Sequence, residues 1–234
     1  MKKLIMKKTV IKNLSHIVTM NDKREILQNC DIVIEGNRIL DIGSNINIVA
    51  DDIINGRNHI ALPGFINTHH HMYQILTRCI PSVLDVPLFK WLTTLYEIWR
   101  ELNANGVYLS TKAAVGELLL TGCTSSIDHL YLFPRKINED IFDAEVNAAV
   151  EMGMRFFPTR GCMSRGRSKG GLPPDDVIQI EDEILKEFER IYNKYHDSSR
   201  YSMLQIALSP CSPFSVTKEL LIESATFARK RGIK

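Results

Sequence analysis

Three histidines stand in a row at the end of an apolar run: His69, His70 and His71 in "PGFINTHHHMYQ". Imidazole is a good ligand for zinc and iron. On a strand, residues i and i+2 share a side, so His69 and His71 would aim at one point and His70 away from it. Two imidazoles so placed make up part of a catalytic zinc site, which typically takes three protein ligands. The strand is apolar up to Ile66, so the pair falls at its C-terminal end, where β/α enzymes keep their chemistry. A histidine run on a surface loop is the plainer alternative.

The elements that would position such a pair follow from periodicity. Residues 9 to about 60 read as short strands. "TVIKNLSHIVTM" is rich in β-branched residues, and "CDIVIEGNRILDIG" reads as two strands turning at Gly36-Asn37. A β-layer of this size buries little by itself. After Pro63-Gly64 the rhythm changes. "GFINTHH" is a short strand, and "LFKWLTTLYEIWREL" carries Leu88, Trp91, Leu92, Leu95, Ile98, Trp99 and Leu102 at helical spacing. A helix over "VYLSTKAAVGELLL" stops at Gly122. Then come strand "CTSSIDHLYL", a helix from about Asn138 to Met152, strand "MRFFPTRG", and a helix from about Asp176 to Tyr195. That helix is expected to show Ile180, Ile184, Phe188 and Ile191 on one face. Strand "MLQIALSP" and helix "TKELLIESATFARKR", ending at Gly232, complete the series. Such alternation means parallel βα units, arranged as a β/α barrel or as a doubly wound sheet. The polar stretch "SRGRSKGGLPPDD" follows the third strand, where barrels place substrate loops.

Composition narrows the partners. The chain has 234 residues, and its 44% hydrophobic and 24% charged shares are ordinary for a globular protein. A net charge of +2 with well-mixed signs points away from a nucleic-acid polymer or an anionic membrane. The five cysteines (Cys30, Cys79, Cys123, Cys162, Cys211) are dispersed and never spaced CxxC. That argues against a disulfide framework or a cysteine zinc cage and suits a reducing cytoplasm. Lys7, Lys8 and Lys12 interrupt the N-terminal apolar residues as no signal peptide would. A cytoplasmic location is expected.

"LPGFINTHHHMYQ" resembles the first metal motif of the amidohydrolase superfamily, metal-dependent hydrolases built on a β/α barrel with a small flanking β-domain. "LTRCIP", "LLLTGCTSSIDHLYLFP", "TRGCMSRGRSKGGLPPDD" and "SPCSPFSVTKELL" narrow the resemblance. Together they are similar to the 8-oxoguanine deaminases, within the aminohydrolases related to triazine and hydroxyatrazine hydrolases. Many relatives in the wider group carry histidine where this chain has Cys211. That departure matches the oxoguanine subgroup and disfavours adenosine-type deaminases.

The resemblance implies one divalent metal, zinc or iron, with His69 and His71 as its first two ligands. It implies hydrolytic deamination of an oxidised purine, 8-oxoguanine, to urate and ammonia. Isocytosine, another aminopyrimidine or a hydroxytriazine is the alternative substrate. Gln74, Arg160 and Cys211 are expected to line the substrate, and Asp128 and His129 to serve structure rather than metal. The proton-shuttle glutamate and the remaining ligands are expected beyond residue 234. The expected fold is therefore the N-terminal half of a (β/α)8 barrel, about four βα units over residues 63–234. A small β-sandwich-type segment over residues 1–62 precedes it. The chain would then work with a complementing C-terminal chain or as a homo-oligomer, or be a catalytically inactive fragment.

Overall fold

A computed structural model of the chain describes residues 6–137 and 140–233. They form two compact units, Met1–Gly64 and Phe65–Lys234. The first is a five-stranded sheet of β1 (Lys8–Val18), β2 (Ile26–Glu35), β3 (Arg38–Gly43), β4 (Asp52–Asn55) and β5 (Ile60–Ala61). Its order is β3-β2-β1-β4, with β5 also pairing β1. Glu35 lies opposite Arg38, so only Gly36 and Asn37 make the predicted turn. Gly36 has φ +59, a value that suits a residue with no Cβ. Leu14, Ile17, Cys30 and Ile32 form the buried cluster of this unit, while Ile39 is 62% exposed.

The second unit holds β6 (Phe65–Asn67), β7 (Cys123–Leu130), β8 (Arg155–Cys162) and β9 (Ala207–Pro210) in one parallel sheet. Its order is β6-β7-β8-β9. A doubly wound sheet reverses its strand order at a switch point, and no reversal occurs among the described residues. The connections are helical: α1 (Leu88–Trp99) and α2 (Ala104–Leu120) before β7, α3 (Ile141–Glu151) before β8, and α4 (Glu181–Tyr195) before β9. Then α5 (Lys218–Arg231) follows β9.

Local chemistry accounts for these limits. The Asn103 side chain caps α2 by accepting from Gly106 N at 2.8 Å, and Thr217 caps α5 by accepting from Leu220 N at 3.2 Å. Gly232, with φ +66, ends α5. Helix α4 buries Ile184, Phe188 and Ile191, spaced by four and three residues.

Three expected boundaries differ. Helix α4 starts at Glu181, not near Asp176, and Ile180 is 49% exposed. The preceding segment is held extended because Gln179 N donates to Met163 O at 2.8 Å, which a helical turn would forbid. Strand β6 stops at Asn67, so the histidines follow it instead of lying on it. Strand β9 has four residues, and upstream only Leu204 makes an isolated bridge, to Phe156. The predicted start of α3 at Asn138 lies outside the described residues; the helix runs from Ile141.

In this sheet β6 and β9 each have one paired neighbour, and Phe65 and Ile66 on β6 are 63% and 71% exposed. Apolar strand edges of this kind template intermolecular pairing. The purified chain is therefore expected to self-associate, and Ile66→Lys to shift it toward monomer, in size-exclusion chromatography with light scattering. A monodisperse wild-type monomer would contradict this.

Candidate metal centre

On leaving β6 the histidine segment is pinned to the end of β7. His129 N donates to His70 O at 2.9 Å, and His71 Nδ1 lies 2.8 Å from His129 O. A carbonyl oxygen only accepts, so Nδ1 of His71 carries the proton and Nε2 keeps its lone pair. Burial holds the His71 pKa below its ordinary value, which leaves the ring neutral and able to ligate. The His69 and His71 ring centroids are 5.1 Å apart, and the rings stand nearly perpendicular. The Nδ1 of His70 is buried 3.8 Å from Asp128 Oδ1. The segment is thus irregular and tied to its neighbour, in place of the strand expected there.

The three histidines share a cavity of about 450 Å³ with Gln74, Arg78 and Trp91. Gln74 sits in the short 3-10 turn Met72–Thr77. Its Nε2 donates to the hydroxyls of Tyr73 (3.3 Å) and Tyr131 (3.5 Å). Tyr131 and His129 complete an aromatic cluster around His71, at 5.5 and 5.2 Å between ring centroids. The His129 side chain spans β8, donating from Nε2 to Ser209 O on β9 at 2.8 Å, and burial pushes its pKa down to about 4. Cys211 does not line the histidine cavity. Its amide donates to Cys162 O at 3.1 Å, and its side chain packs on the cluster containing Tyr73, Tyr96 and Tyr131. Burial pushes its thiol pKa up.

Arg160 is not brought to the histidines. In the β7–β8 pairing, His129 opposes Thr159 and Leu130 opposes Arg160, so Arg160 and His129 occupy opposite faces of the sheet. The guanidinium is fully buried, with its carbon 3.3 Å from the Phe133 ring centroid. It donates to Gly161 O and, at 2.9 Å, to Gln179 Oε1. Burial lowers its pKa to about 10. It lines a separate cavity of about 370 Å³ with Phe133, Phe142 and Glu183. The expectation that Arg160 lines the same site as the histidines is corrected by strand alternation.

Among the described residues, no group of three or more His, Cys, Asp or Glu side chains is placed to hold a metal ion. His69 and His71 fit two positions of a nitrogen donor set: one ring is neutral with its distal nitrogen free, the other adjacent and exposed.

Two buried carboxyls lie behind the segment: Asp128, expected to serve structure, and Glu145, which the sequence reading did not single out. Asp128 Oδ1 accepts from Met72 N at 2.7 Å, and burial raises the Asp128 pKa to about 6. Glu145 on α3 is 1% exposed, and burial, then the neighbouring Asp128 charge, push its pKa well up. With both values raised, the unfolded chain releases these protons first, so stability falls as pH climbs past the ordinary carboxylate range through about 6, where Asp128 titrates, and on above it as Glu145 does. Glu145→Gln is expected to flatten that fall and to stabilise the protein at pH 8. Urea denaturation at pH 5 and pH 8 checks it; an unchanged pH slope would count against a shifted Glu145.

The Amidohydrolase family model matches residues 60–234. The chain is 47% identical over 176 residues to an 8-oxoguanine deaminase of Pseudomonas aeruginosa, which covers 75% of this chain and 39% of that protein. It is 28% identical over 237 residues to a hydroxydechloroatrazine ethylaminohydrolase of Pseudomonas sp. strain ADP, covering 96% of this chain and 49% of that one. Its structure superposes on an atrazine chlorohydrolase of Arthrobacter aurescens TC1 crystallised with zinc. The TM-score is 0.89 at 30% identity, covering 97% of this chain and 51% of that one. The chain spans about half the length, or less, of the curated relatives it matches.

Proposed function

The chain belongs to the amidohydrolase family, and on that footing we propose that it supplies the His69–His71 part of a metal-dependent deaminase acting on 8-oxoguanine. The reaction adds water across the ring carbon bearing the exocyclic amine and releases ammonia, leaving urate. The observation that carries the reading is the His69–His71 pair, with the proton of His71 committed to His129 O and its Nε2 free. A bound divalent metal, zinc or iron, would supply Lewis acidity beside that pair. Gln74, held by two tyrosine hydroxyls, has an amide suited to a purine edge. Cys211, packed on the cluster that holds those tyrosines, would act on the site only through them. Arg160 supports β8 from the opposite face and takes no direct part.

The strand order and the superposition on about half of the zinc-containing chlorohydrolase support reading residues 63–234 as the first half of an eight-stranded barrel. Residues 1–62 would then belong to its flanking β-domain. The 47% identity supports oxoguanine as substrate, and the more distant 28% relative favours a hydroxytriazine as the second reading.

The test is reconstitution of the chain with the remaining segment of the Pseudomonas aeruginosa 8-oxoguanine deaminase. Ammonia and urate are measured with 8-oxoguanine, isocytosine and a hydroxytriazine supplied in turn. Turnover of 8-oxoguanine that is lost in His71→Ala is expected. Turnover confined to the other two rings would replace the substrate assignment.

A further inference from the structure

Three hydrogen bonds pin the histidine segment to the end of β7: His129 N to His70 O, His71 Nδ1 to His129 O, and Met72 N to Asp128 Oδ1. The first two use the main chain of β7, which any residue there supplies. Only the third depends on a β7 side chain, and at 2.7 Å it is the shortest of the set. Met72 is 0% exposed and Asp128 is 1% exposed, so an amide left without this acceptor has no water to replace it. The turn Met72–Thr77 has no cap of its own, because His71 at its start makes no side-chain cap bond. Asp128 supplies that missing acceptor from 56 residues further along the chain.

We propose that Asp128 is a positioning residue for the metal centre: by holding the Met72 amide, its Oδ1 fixes where the turn begins, and with it the direction in which His71 presents Nε2 beside His69. This rests on His69 and His71 being metal ligands. What the position requires is an acceptor oxygen of that reach. Asparagine supplies one in the same place, and alanine supplies none. Two buried groups flank the carboxylate without taking its Met72 bond: His70 Nδ1 at 3.8 Å, and Glu145 on α3, whose proximity disfavours ionising both carboxyls at once. Residues that hold or orient metal ligands typically cost ten- to a hundredfold in metal affinity when lost.

The experiment compares the full chain with Asp128→Asn and Asp128→Ala in two readouts. One is zinc affinity by competition with a chromophoric chelator, and the other is solvent exchange of the Met72 amide by NMR. Asp128→Asn is expected to match the wild type in both. Asp128→Ala is expected to lose Met72 protection and to bind zinc roughly ten- to a hundredfold more weakly. Unchanged protection and affinity in Asp128→Ala would overturn the proposal. So would a loss in Asp128→Asn as large as in Asp128→Ala, since the amide oxygen still reaches Met72. Should Asp128→Ala fail to fold, Asp128→Leu, which fills the volume without an acceptor, is read in its place. Should neither fold, a tenfold loss of zinc affinity in a folded Asp128→Asn still overturns it. Wild-type protein that binds no zinc would count against the ligand reading instead. The Met72 exchange and the tautomer of His71, read from its ring nitrogen shifts, would then decide whether Asp128 seats the segment.

Discussion

Replacing His71 with alanine is expected to weaken zinc binding by about a hundredfold or more, and His69→Ala to do the same, while His70→Ala stays within about threefold of the wild type. The asymmetry comes from the way the segment is tied down. His71 has one nitrogen committed to His129 O, and its ring lies 5.1 Å from that of His69. The Nδ1 of His70 is instead buried beside Asp128. With no third such side chain grouped with them among the described residues, removal of either imidazole leaves a ligand set too small to compete with water. Titration against a chromophoric chelator measures all three. Equal losses at the three positions would show that the histidines act as a loose cluster, and the assignment of His69 and His71 would fall.

The second large effect concerns Gly161 on β8. A Cβ added there would lie 2.5 Å from Tyr131 Cβ, 2.7 Å from Tyr131 Cα and 2.8 Å from Leu130 O. These are backbone or backbone-near atoms of the adjoining chain, so no flexible side-chain end can swing away. Gly161→Ala must push β7 and β8 apart at the level where His129 crosses to Ser209. Overpacking of this kind costs about 3 kcal/mol. For a chain of this size that is a fall in melting temperature of roughly 6–12 °C. Because Tyr131 is displaced directly, the Tyr131–Gln74 contact should also loosen, and zinc affinity should drop along with stability. A melting temperature within about 2 °C of the wild type would show that the strands absorb the methyl group without strain.

Where local chemistry decides the structure, the residues could be read directly. The Gly36-Asn37 turn, the buried stripe of Ile184, Phe188 and Ile191, and the stop at Gly232 all follow from side chains acting over a few residues. The alternation of strands and helices was legible for the same reason. What could not be read depends on partners far along the chain. Ile180 has helical spacing to Ile184, yet Gln179 is claimed by Met163 and Arg160 before a helix can start. Arg160 lies near the end of its strand, which is compatible with either face of the sheet; the register with Leu130 puts it on the face away from His129. The proximity of Asp128 to Glu145 needs α3 packed on the sheet, and no short-range pattern announces it. Tyr131 did leave a trace: it stands two residues after His129 at the end of the strand, the same i, i+2 relation that singled out His69 and His71.

The tether from His71 to His129 spans 58 residues, and the one from His129 to Ser209 spans 80. Neither can form before the intervening helices have closed their loops, so His71 is oriented only once β6 and β7 are paired, and His129 beside it is fixed only once β8 and β9 have joined them. Metal uptake thus reports on folding itself. The apparent dissociation constant equals the intrinsic one divided by the fraction of molecules that have completed the sheet. A substitution far from the histidines that leaves one molecule in ten assembled would therefore look like a tenfold weaker site. Conversely, zinc at a hundred times its dissociation constant would draw the chain toward the assembled state by about 2.7 kcal/mol.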